Sequence, residues 1–87
     1  MNNKIIFGAL AMDLKRVALG YHRGSDAMAE RFFEEALLRR NELDLQTVRP
    51  YLVKILQNLE NIKKQNKEKS AEDALLYSTL FQNASQV

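Results

Sequence analysis

The chain reads as an all-α protein, a small up-and-down bundle of about four helices. Three observations predict this. Apolar residues recur at helical steps: Phe7, Leu10, Leu14, Val17 and Tyr21 in one segment, and Val48, Leu52, Ile55, Leu59 and Ile62 in another. Steps of three and four put each set on one side of a helix, where a second apolar surface must cover it. Breakers are scarce, with three glycines and one proline in 87 residues. No stretch alternates apolar and polar residues between turn signals, the pattern of a half-buried strand.

The first helix is expected over about residues 3–22, with Asn2 or Asn3 as its cap. Gly20 and Gly24 mark its end, where His22 and Arg23 suit the negative pole of the helix dipole. Ser25 reads as the cap of a second helix over 26–40, with Asp26 and Glu30 in its early turns. Its apolar stripe is Met28, Ala29, Phe32, Phe33, Ala36 and Leu37, and Arg39 and Arg40 close it. The next break lacks glycine, so Pro50 decides it. Proline is tolerated where its missing N–H has no helical partner. With Thr47 as cap, Pro50 falls in the first turn of a third helix over 48–64. The polar run from Lys63 to Lys69 is a solvated last turn or a linker. Ser70 with Asp73 resembles a capping box. It opens a fourth helix over 71–83, with Ala74, Leu76, Tyr77, Leu80 and Phe81 facing inward. Short connections favour antiparallel neighbours, hence the up-and-down arrangement. The alternative is a hairpin of the first two helices, completed by dimerisation, with the fourth helix swapped or peripheral.

Length and composition narrow the setting. Eighty-seven residues make one domain. The chain has no cysteine, which excludes disulfides, thiolate metal sites and thiol nucleophiles. Small secreted domains often depend on disulfides, so this composition points to the reducing cytoplasm. The apolar run Ile5–Met12 is far too short to cross a membrane. Net charge is only +2. Acids concentrate in residues 25–46 and lysines in residues 54–69, without a charged tail at either end.

The first helix has more apolar surface than one stripe requires. Ile5, Met12 and Leu19 repeat every seven residues on the side away from Leu14 and Tyr21. A second line requires a second cover. Three arrangements supply one: a central position in the bundle, a symmetric homodimer through this helix, or a groove for another protein.

Chemical motifs are weak. His22, Ser25 and Asp26 share a turn and contain the residue types of a nucleophilic site. A helix end with a compensating cation, followed by a capped start, explains the same residues. Asp26, Glu30 and Glu34 share a helical face, as metal-binding carboxylates do in bundles, yet no Glu-x-x-His accompanies them. A solvated acidic face is the simpler reading. No glycine-rich phosphate loop or histidine pair occurs. The terminal Ser85-Gln86-Val87 resembles strand-adding peptide ligands on only three residues, and Asn83-Ala84-Ser85 matches the glycosylation pattern without consequence in the cytoplasm. The expectation is a protein-protein interaction or regulatory module that is not an enzyme and uses no cofactor or metal. Ile5, Met12 and Leu19 are its contact residues, and a second copy or another protein is its partner. The alternative is a weak, non-sequence-specific nucleic-acid binder using Arg39, Arg40, Lys54, Lys63 and Lys64.

Overall fold

The computed structural model describes residues 2–86. It contains α1 (Asn3–His22), α2 (Asp26–Arg40), α3 (Pro50–Gln57) and α4 (Lys67–Ser85). Two 3-10 segments, Leu45–Thr47 and Leu59–Lys64, flank α3. Among the described residues there is no strand. Val87, the last residue of the tail motif, lies outside the described residues.

Cross-helix contacts set the directions. Gly20 of α1 meets Ala29 of α2, and Asp13 meets Arg39, so α2 runs antiparallel to α1. Gly8 meets Ser85, and the Ser78 hydroxyl donates to the Ala11 carbonyl at 2.7 Å, so α4 is antiparallel too. Between them the chain climbs back through α3 and the second 3-10 segment. Arg40 reaches Leu56 and Glu60, Lys63 lies over the Phe33 ring, and Lys67 reaches Asp26. The result is up-down-up-down, with α1 packed against both α2 and α4.

The core runs along the inner side of α1. Leu10, Leu14 and Val17 are sealed against Phe33, Leu56, Leu59, Ile62 and Phe81. Phe7 and Phe81 stack with centroids 5.6 Å apart. Small residues let backbones approach. A Cβ on Gly20 would lie 2.7 Å from the Ala29 nitrogen, so only glycine fits that crossing. Gly20 is therefore an interior contact of α1 and not its end. Gly24, at φ +72°, is the residue that turns the chain.

Helix ends follow local chemistry. Asn2 and Ser25 cap α1 and α2 by accepting the backbone N–H of Ile5 and Met28. Asn3 instead bonds the Asp44 backbone and Thr47 through its side-chain amide, tying the start of α1 to the long connection. The third helix departs from expectation at both ends. Its N-cap is Arg49, with Pro50 at the first helical position, and Thr47 instead ends a 3-10 turn capped by Asp44. Proline clashes with helical backbone at the residue before it, so Arg49 stays extended at φ −60°, ψ 140°. That steric term, beyond the missing N–H, excludes a start at 48. The α-helix also stops early. Asn58 donates its side-chain amide to the Lys54 carbonyl, and the chain tightens into 3-10 geometry. Leu59 and Ile62 remain buried because a step of three matches the 3-10 repeat.

The fourth helix is longer than expected. Asn66 is the cap, accepting from Lys69 N–H, and the helix runs from Lys67 to Ser85. Ser70 is no cap. It is buried, with its hydroxyl donating to the Ile62 carbonyl. Asp73 instead pairs with Lys69 and accepts from the Gln65 amide. Leu76, expected inward, is exposed, and Ser78 takes an inward place.

Candidate functional site

The contrast within α1 defines the site. Ile6, Phe7, Leu10, Leu14 and Val17 of this helix are buried, yet Ile5, Met12 and Leu19 are 59%, 45% and 38% exposed. They form the side of α1 that neither α2 nor α4 covers. One edge is marked by Asp13, Arg16 and Gly20, which face α2; the other by Gly8 and Ala11, which face α4. The central position of α1 therefore does not cover the second line, although it accounts for the first.

The edge toward α2 is polar and held in place. Asp13 is buried, and its carboxylate accepts from Arg39 Nε at 3.3 Å, with Arg16 3.7 Å away. Burial raises its pKa above the ordinary aspartate value. Arg39 and then Arg16 oppose the rise, and the nearby Glu35 adds to it. Arg16 also lies 5.3 Å from the centre of the Phe32 ring. These contacts fix the arginine stems beside the apolar line and leave its middle to Met12.

Other candidates are dispersed. Arg39 faces α1, whereas Arg40 faces α3 and the 3-10 segment Leu59–Lys64. There it makes a bidentate pair with Glu60 at 2.6 and 2.8 Å and donates to the Leu56 carbonyl. That pair holds the Glu60 pKa down at about 2, and raises that of Arg40. Lys63 lies over Phe33. Lys54 and Lys64 are exposed, and Lys64 lies close enough to Glu60 to help lower its pKa. Arg39 and Arg40 thus engage different partners, Asp13 and Glu60. In the turn after α1, the Ser25 hydroxyl is spent on capping and Asp26 accepts from Lys67 at 2.7 Å. His22 is exposed, as are Glu30 and Glu34. Among the described residues no group of three or more such side chains converges as metal ligands would.

Exposed apolar residues outside α1 carried no sequence signal. Leu38, Leu45, Tyr51 and Leu75 all face outward, as does Leu76. Leu38 follows half-buried Leu37, and Leu75 and Leu76 follow buried Ala74. Successive helical residues differ by about 100°, so one apolar neighbour turns inward and the next turns out. No helix is long and apolar enough to cross a membrane. No family model, curated protein or solved structure matches the chain.

Proposed function

We propose that the protein works as a contact module in the cytoplasm, and that the outer side of α1 docks a second copy of this chain. The observation that carries this reading is the line Ile5, Met12, Leu19, left open on a helix whose Ile6, Phe7, Leu10, Leu14 and Val17 are all buried. Its spacing suits self-pairing. In a two-fold antiparallel arrangement centred on Met12, Ile5 of one copy lies opposite Leu19 of the other. The same operation sets Arg16 opposite Gly8 and Lys15 opposite Ala9, so cations meet small residues and not each other. A patch complementary to itself is what an isologous dimer requires.

Magnitudes make this a weak dimer. Burying a side chain of this size fully contributes about 1.5–3 kcal/mol, and these are already about half covered. Six of them supply roughly 5–9 kcal/mol, against an association cost of roughly 4–15 kcal/mol. The largest surplus these ranges leave, about 5 kcal/mol, corresponds to dissociation at roughly a few tenths of a millimolar.

The native chain has no cysteine, so single-cysteine variants report contacts cleanly. Under mild oxidation, Met12→Cys forms a disulfide-linked dimer. Ile5→Cys alone does not, but it links to Leu19→Cys when the two are mixed. Linking no faster than an exposed control, Leu38→Cys, contradicts the docking of two copies here. Efficient self-linking of Ile5→Cys contradicts the antiparallel register.

A further inference from the structure

A second feature lies at the end of the bundle where α1 starts and α3 begins. An open groove of about 310 Å³ runs between them, beside the last turn of α4. That size is at the lower end of small-ligand sites, which span roughly 300–1,000 Å³. Phe7 and Leu52 form its buried floor, Val48 a half-buried wall, and Tyr51 an exposed edge. Lys4 and Arg49 stand on the rim. Neither has an acidic partner within ion-pair distance among the described residues, and no Asp or Glu lines the groove. Of the polar wall residues Asn3, Thr47 and Asn83, Asn3 is already engaged with Asp44 and Thr47, and the Thr47 hydroxyl donates to the Asp44 carbonyl.

We infer that this groove binds a small amphiphile with a carboxylate head and a short hydrocarbon tail. Charge complementarity chooses the head: two cations without counterions flank an apolar floor, and a guanidinium takes a carboxylate bidentately. The floor chooses the tail, because a bare anion gains nothing from Phe7, Val48 and Leu52. The tail covers the Phe7 and Leu52 side chains, the Tyr51 ring closes over it, and the head lies between Lys4 and Arg49.

The test titrates the intact protein with octanoate, octylamine and acetate, read by nuclear magnetic resonance. Octanoate is expected to give saturable shifts at Phe7, Val48, Tyr51 and Leu52. Octylamine has the same tail and the wrong charge, and acetate has the head alone; neither saturates over the same range. Reversing both rim charges, Lys4→Glu with Arg49→Glu, weakens octanoate by at least about tenfold. Both residues are exposed, so the helical signal stays intact. Met12→Asp, which disables the proposed dimer face, leaves octanoate binding unchanged. Equal binding of octylamine, octanoate shifts centred on Ile5–Leu19, or no saturable shift at all overturns the inference.

Discussion

Leu14 and Met12 stand two residues apart on α1, and their surroundings are opposite. Leu14 has no exposed surface, and Met12 keeps nearly half of its own. Asp13 lies between them, buried and clasped by Arg39. The inner line Phe7, Leu10, Leu14 and Val17 excludes water within the chain, and its removal costs stability. The outer line Ile5, Met12 and Leu19 is only about half covered, so it contributes less to the fold and keeps apolar surface open for contact. Apolar spacing alone does not separate these roles. What separates them is how many neighbours one helix has: α2 and α4 cover two sectors of α1, α3 and the 3-10 segment after it complete the core, and one sector stays open.

The comparison breaks most sharply under truncation. Leu14→Ala removes fully enclosed atoms and is expected to lower unfolding free energy by about 2–5 kcal/mol in urea titration. Met12→Ala, which removes a side chain only about half covered, is expected to change it by about 1 kcal/mol. Similar values for both would mean that the two sides of α1 are not distinct. Next in size is Gly20→Ala. The added methyl would sit 2.7 Å from backbone nitrogen, which cannot rotate away, so α1 and α2 must separate. A loss of about 1–3 kcal/mol is expected, visible as a lower thermal midpoint.

Smaller effects sharpen the comparison through pH. Asp13 and Glu60 are both held by arginines, one inside and one at the surface, and their pKa values move in opposite directions. The folded state raises the pKa of Asp13, so it binds the proton more tightly than the unfolded chain does. Its contribution to stability therefore falls as pH rises from about 3.8 through its raised value. Asp13→Asn should remove that slope from a series of urea midpoints. Glu60 is lowered from 4.5 to about 2, so its contribution is full above pH 4.5 and is lost as pH falls toward 2. Its side chain is half exposed, so solvent screening limits the effect of Glu60→Gln to about 1 kcal/mol or less at neutral pH.

Much of the fold was legible because helix caps and apolar spacing are local. Ser25 and the stripe from Ala29 to Ala36 locate α2 to the residue, and the inner line of α1 packs as its spacing implies. Legibility failed where the deciding term was nonlocal or subtle. The missing N–H of Pro50 permits a helix start at 48, but its clash with helical backbone at Arg49 is decisive. Leu56 is fully buried and, four residues after Leu52 and three before Leu59, shares the face of the expected stripe, which included half-buried Ile55 in its place. Ser70 looks like a cap because hydroxyls favour caps. Its buried bond to Ile62 depends on a partner eight residues back. The outer line of α1 is visible in the sequence as surplus apolar surface. Its exposure is not, since that depends on where α2 and α4 sit. The groove under Lys4 and Arg49 has no sequence signal, because its walls come from three distant segments.

Sedimentation equilibrium across a concentration range of about a hundredfold tests self-docking through α1 most directly, since a weak dimer populates within such a span. The weight-average mass is expected to rise from 10.0 kDa toward twice that value. Met12→Asp should hold it at the monomer mass with helical content and urea midpoint preserved. A wild-type mass constant at the monomer value throughout contradicts self-docking, as does a Met12→Asp protein that has lost its fold.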